Sequence, residues 1–219
     1  AALANVAAKN INVKIAMVLD HGQSYEQAKK CIEAGYSGVM IDLSSEDYDY
    51  NVFETQKVVE LAHSKGVSVE AELGTIMPAD STVEEISTGF TDPVVARHFV
   101  EDTGIDCLAV SVGTAHGLYK YAPKINFDLV KELVDTVGCP IVVHGGSNTP
   151  DDDVIKLVGL GIAKLNVGTD FFVAYNEAMY NILSEKGVKC DIAEVMKAAR
   201  DAVEKVAIYK IKLLTTYRK

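Results

Sequence analysis

The 219-residue sequence lacks paired cysteines, an excess of positive charge and long apolar runs. Its four cysteines, Cys31, Cys107, Cys139 and Cys190, stand far apart with no C-x-x-C pair. That excludes a disulfide framework or a cysteine zinc site and fits a reducing, cytoplasmic setting. Lys and Arg number 21 against 31 Asp and Glu, a net charge of -10. Nucleic acid and anionic membrane, which need clustered positive charge, are therefore excluded as main partners. No apolar run approaches the roughly 20 residues of a membrane span. The opening "AALANVAAKN" lacks the basic and hydrophobic regions of a signal peptide. It also lacks an initiator Met and reads as helix, so the chain is expected to start inside a longer gene product. No linker, low-complexity segment or second domain interrupts the sequence, and a single domain over 1–219 is expected.

What is present is a repeated unit. Six short apolar runs stand out: "IAMVLD" (15–20), "GVMID" (38–42), "VSVEAELG" (67–74), "CLAVSVG" (107–113), "PIVVHGG" (140–146) and "KLNVG" (164–168). They are continuous rather than alternating, as in strands of a parallel sheet buried on both faces. Helical patterns lie between them. Ser24 is the expected N-cap of one, and Asp92 caps another with Pro93 at its first position. Gly35, Gly66, Gly104, Gly138 and Gly161 mark the helix stops. The order strand, helix, Gly, strand predicts an α/β fold with right-handed crossovers. A closed (β/α)8 TIM barrel needs eight such units. Either the sheet is open and doubly wound, or the first two βα units are absent from this chain. The helix-like start favours the second, an N-terminally incomplete barrel ending in a helical tail over about 171–216.

In parallel α/β proteins the carboxyl ends of the strands build the site. Here those ends are polar: Asp20-His21-Gly22, Asp42-Leu43-Ser44, Glu70 and Glu72, "GTAHGLYK", "HGGS" and "NVGTD". Any one histidine there is ordinarily a satisfied strand-end residue. Three of the five, His21, His116 and His144, fall on three different strands, and that convergence points to a metal with an open position. Imidazole-only ligation with no redox motif favours zinc over iron, cobalt or manganese. His63 and His98 lie within helices and read as structural. Glu70 and Glu72 share one face of their strand. They orient a ligand, bind a second cation, handle protons, or form a salt bridge. "HGGS" and "NVGTD" together read as a phosphate cradle, since glycine backbone and a helix N-terminus both welcome an anion.

These motifs, in this order and spacing, resemble the class II, zinc-dependent ketose-bisphosphate aldolases, which include the fructose- and tagatose-1,6-bisphosphate enzymes. The resemblance spans essentially the whole chain and implies an eight-stranded barrel whose strands three to eight are the six runs above. It implies zinc on His21, His116 and His144, with Asp20 as proton donor and acceptor. Glu72 matches an acidic residue near the metal, and Asp42 a second-cation (Na+ or K+) position. Gly117, Gly145, Gly146, Ser147, Asn166, Val167, Gly168 and Thr169 match the positions that hold dihydroxyacetone phosphate. A dimer or tetramer is implied as well. One departure is plain. "ELG" is followed by "TIMPADSTVEEISTGFTDP", without the family's Gly-Gly-acidic loop, so that loop's carboxylate is unassigned, with Glu84 and Glu85 as substitutes. The alternatives are another phosphorylated or sulfonated ketose as substrate, a Schiff-base aldolase using Lys164, a zinc hydrolase, or a non-catalytic barrel fragment. Lys164 lies at the wrong end of its strand, and the hydrolases' H-x-H pair is missing.

Overall fold

The computed structural model describes residues 1–76, 78, 80–119 and 123–216. Lys120, the end of "GTAHGLYK", lies outside them. The order begins α1 (Ala2–Lys9), β1 (Val18–Gly22), α2 (Tyr25–Glu33), β2 (Gly38–Ile41), α3 (Tyr48–His63) and β3 (Ser68–Leu73). It continues α4 (Val83–Thr88), α5 (Pro93–Thr103), β4 (Cys107–Val110), α6 (Phe127–Thr136), β5 (Ile141–Val143) and α7 (Asp151–Leu160). It closes with β6 (Lys164–Leu165), α8 (Thr169–Lys186) and α9 (Ile192–Leu214). All six strands are parallel and pair in sequence order, β1 to β6. The sheet curls into a half-barrel. Just past the edge strand β6, Asn166 Nδ2 lies 2.9 Å from Asp20 Oδ1 on the other edge strand.

The continuous apolar runs divide between two cores. Val39, Ile41, Val69, Ala71, Leu108, Val110, Ile141 and Val143 point outward and pack with helix residues such as Ala28, Val58, Phe99, Leu133 and Leu157. The intervening Met40, Ala109 and Val142 meet on the inner face, with Cys107 against them. This is strand alternation with both faces covered. Phe99 is fully buried and meets Tyr48 edge-on at 5.9 Å. Phe99→Ala is expected to destabilise the fold by about 3–5 kcal/mol, read from the urea unfolding midpoint.

The expected helix ends are present. Ser24 accepts from Gln27 N–H, Asn126 from Leu129 N–H, and Asp92 from the N–H groups of Val94 and Val95. The five predicted stop glycines all have φ between 69° and 103°.

Boundaries differ from the sequence reading, most at the first, fourth and sixth strands and in the tail. The first strand starts at Val18 rather than Ile15: the Met17 carbonyl accepts the first ladder bond from Gly38 N–H, while the Met17 N–H turns to the Ser37 hydroxyl. The fourth ends at Val110, leaving His116 in the loop beyond it. The sixth is only two residues long. The helical tail breaks at Gly187 (φ 75°) into α8 and α9. Among the described residues no helix is long and apolar enough to cross a membrane.

Candidate metal centre and anion pocket

Adjacent residues on a regular strand face opposite ways. Asp20 and His21 nonetheless line one cavity, because β1 bulges between them. Leu19 pairs with Val39 and Gly22 with Ile41, so three steps on β1 answer two on β2. His21 itself takes φ 48°, a strained left-handed conformation of the kind that bulges place at functional sites. Gly22 contributes room: a Cβ there would sit 2.5 Å from the Met40 carbonyl oxygen.

The three strand-derived imidazoles converge. Ring centroids are 4.9 Å apart for His21 and His116, 4.6 Å for His21 and His144, and 5.8 Å for His116 and His144. One nitrogen from each lies within 4.8 Å of the others. His144 follows β5 directly and is fully buried. His116 is carried by a loop whose Ala115 N–H bonds the Tyr119 hydroxyl, which donates in turn to the Gly145 carbonyl.

Carboxylates set the outer nitrogens. Asp42 Oδ2 lies 2.7 Å from His21 Nδ1, and Glu70 Oε1 lies 3.0 Å from His144 Nε2. A carboxylate there accepts a hydrogen bond from the ring N–H and so favours the tautomer whose opposite nitrogen carries a lone pair. The facing nitrogens, His21 Nε2 and His144 Nδ1, are 2.9 Å apart. The Asp42 hydrogen bond holds the His21 pKa up against its burial. Burial and its two histidine neighbours push His116 down to about 4, keeping it neutral.

Glu72 supplies the test of fit. Its Oε2 is buried with no hydrogen-bond partner and stands 3.8 Å from His21 Nδ1 and 3.8 Å from His144 Nδ1. Burial first, then nearby Asp42, pushes its pKa up to about 8. An orphaned buried carboxyl oxygen beside converging imidazoles fits the donor chemistry of a divalent cation. Asp42 and Glu72 line a second cavity of about 530 Å³ that shares His21 and His116 with the first.

The first cavity, about 510 Å³, is lined by Asp20, Gly117, Gly145, Ser147, Asn166, Val167, Gly168 and Thr169, with the three histidines. Gly145 has φ 75°, and a Cβ there would lie 2.4 Å from the Ala115 carbonyl oxygen. Ser147 Oγ accepts from the N–H groups of Gly168 and Asp170, joining the loops after β5 and β6. Gly146 is not among the lining residues. Its N–H is engaged by the Asn166 carbonyl at 2.9 Å, so it joins the loops after β5 and β6. Glu85 is held in a capping box with Thr82, which engages one of the two substitute carboxylates.

Two features were missed in the sequence. Lys164 faces inward and pairs with Glu70 Oε2 at 2.6 Å, so it supports the His144 side of the cluster. Its signal was period two: it sits two residues before Asn166 on the same face. Lys210, far along the tail, carried no local signal. The bland reading of the remaining histidines matches their surroundings, with His63 on Asp106 at 2.9 Å and His98 beside Glu101 at 3.6 Å.

Fold and site together define an α/β enzyme that works at the carboxyl ends of parallel strands around a histidine cluster. The model of the family described as fructose-bisphosphate aldolase class-II matches residues 1–219, and the chain belongs to that family of carbon–carbon lyases. It is 41% identical over 203 residues to the fructose-bisphosphate aldolase of Staphylococcus aureus, covering 93% of this chain and 71% of that one. A probable fructose-bisphosphate aldolase of Bacillus subtilis is also 41% identical, over 202 residues, covering 92% and 71%. Among solved structures, the YdjI aldolase of Escherichia coli K12 superposes with a TM-score of 0.83 at 34% identity, covering 95% of this chain and 72% of that one. A putative fructose-1,6-bisphosphate aldolase from Coccidioides immitis gives 0.79 at 27%, covering 94% and 75%.

Proposed function

We propose that the chain catalyses reversible aldol cleavage of a ketose 1,6-bisphosphate to dihydroxyacetone phosphate and an aldehyde. Fructose 1,6-bisphosphate is the substrate assigned, with glyceraldehyde 3-phosphate as the aldehyde. The observation that carries this is the bulge placing Asp20 and His21 side by side, with His116 and His144 converging on the same cavity. His21, His116 and His144 would hold zinc. Once bound there, zinc supplies Lewis acidity toward a carbonyl and its neighbouring hydroxyl.

The chain's own residues do the rest. Asp20 moves the proton at the hydroxyl of the bond being broken or made, held in place by the Asn166 amide at 2.9 Å. Glu72 is the acidic group beside the metal, and Asp42 serves a second, monovalent cation (Na+ or K+). Gly117, Gly145, Ser147 and Asn166 through Thr169 hold the phosphate of the three-carbon unit, with Gly146 behind them. Anchoring that remote phosphate lets binding energy fix the reacting geometry.

The reading takes β1 to β6 as consecutive strands of one eight-stranded barrel domain over 1–219, its first two βα units outside this chain. The two free sheet edges support it. It also takes the protein as a cytoplasmic homodimer or homotetramer, for which Phe172 and Tyr180, each at least 70% exposed on α8, offer apolar surface.

Tagatose 1,6-bisphosphate or another phosphorylated or sulfonated ketose is the second reading. These sugars share the phosphorylated three-carbon unit with fructose 1,6-bisphosphate and differ from it at one hydroxyl or at the distal anion. A panel of ketose phosphates assayed with and without a chelator tests both. Cleavage is expected to vanish with chelator and return with zinc, and borohydride should trap no adduct. Chelator-resistant turnover with borohydride trapping on Lys164 would replace this mechanism with a Schiff-base one.

A further inference from the structure

The last helix reaches the cavity loops through two consecutive residues. Tyr209 bonds the Asp151 carboxylate at the start of α7. Lys210 lies beneath the loops that follow β5 and β6, its Nζ 2.7 Å from Asp170 Oδ2 and 3.5 Å from the Gly146 carbonyl oxygen. At 8% exposure it is the one buried lysine among the described residues. A buried ammonium is costly unless paired and hydrogen-bonded, and removing its partner is costlier still.

The partner is itself a bridge. Asp170 Oδ2 takes the lysine, while Asp170 Oδ1 accepts the Asn148 N–H at 3.1 Å. Asn148 sits at φ 55°, a left-handed conformation that asparagine tolerates and that turns its N–H toward Asp170. Ser147 Oγ ties the same loops from the cavity side through Gly168 N–H and Asp170 N–H. Gly146 N–H meets the Asn166 carbonyl between them. Lys210 is absent from the lining of the first cavity and lines a separate cleft behind it. It therefore acts on a bound anion through the loops rather than by contact.

We propose that Lys210 is a positioning residue for phosphate binding: through Asp170 it sets the spacing of loops 145–149 and 166–170, so that both close on one anion. This rests on reading those loops as the phosphate cradle.

The test is calorimetric titration of inorganic phosphate into the zinc-loaded protein, with thermal unfolding of each variant alongside. Lys210→Met is expected to weaken phosphate binding about ten-fold, the worth of one buried charge-assisted hydrogen bond. KM for the bisphosphate should rise in step while kcat changes less. Lys210→Arg should restore most of the affinity. Asp170→Asn should match Lys210→Met, and the double variant should be no weaker than the weaker single, because the two act as a unit. A folded Lys210→Met with phosphate affinity and KM within about two-fold of the parent overturns the proposal, as does an additive double variant. A lowered melting temperature with unchanged affinity also overturns it, leaving only a structural role. If Lys210→Met does not fold, unchanged affinity in Asp170→Asn overturns it equally. Gly145→Ala separates the two readings. Parent affinity indifferent to that Cβ removes the cradle itself, and the proposal with it. An affinity that Gly145→Ala destroys but Lys210→Met leaves intact removes the positioning role alone.

Discussion

His116→Ala is expected to abolish zinc-dependent turnover, a loss of roughly a thousand-fold or more, since a bound cation contributes several kcal/mol of charge stabilisation. His116 is the most exposed of the three imidazoles and belongs to a loop, so its removal leaves both cores untouched. Among the described residues its nitrogen converges with one from His21 and one from His144. Metal content by atomic spectroscopy and turnover under excess zinc check the expectation together. Near-normal turnover in a metal-loaded variant would remove His116 from the ligand set.

Asp20→Ala is expected to separate chemistry from metal binding. Turnover should fall by roughly 10²–10⁴-fold, the usual worth of a positioned general acid–base group. Zinc affinity should change little, because Asp42 lies on the outer nitrogen of His21 and Glu70 on that of His144, and Asp20 reaches the latter only indirectly, through the Asn166 amide 3.1 Å from His144 Nε2. Asp20 is bonded instead to Asn166. Titration of zinc against a competing chelator, set beside steady-state rates, decides the matter. If the variant loses its metal along with its activity, Asp20 belongs to the metal site and the proton role fails.

The features legible in the sequence are local or periodic. Ser24, Asp92 and the stop glycines declare themselves by position, since a cap is satisfied within three residues of its helix. The two-sided burial of the strands shows as unbroken apolar runs. The histidines were legible because each follows a recognisable strand, and the topology sends strand ends to one mouth. What stayed hidden depends on register or on distance along the chain. No residue pattern signals that β1 carries an extra residue against β2, or that His21 rather than Gly22 takes the positive φ. Lys164 looked misplaced because a strand position says nothing of how far a long side chain reaches across a curled sheet to Glu70. Gly146 reads like Gly145 in sequence, yet one N–H is engaged by Asn166 and only the other residue faces the cavity.

Every strand pairing in the sheet joins neighbours in sequence. Such a sheet can grow unit by unit, because each new strand closes only a short loop of chain. The hydrogen bond between Asn166 and Asp20 is of another kind, spanning 146 residues. It forms only when the first and sixth strands have both arrived. Asp20 thus gains its partner at the final act of assembly. A chain stalled with five strands docked would already carry most of its helix and its outer core, and yet leave Asp20 unheld. Helix content alone would therefore not distinguish such a chain from one in which the two edge strands have met.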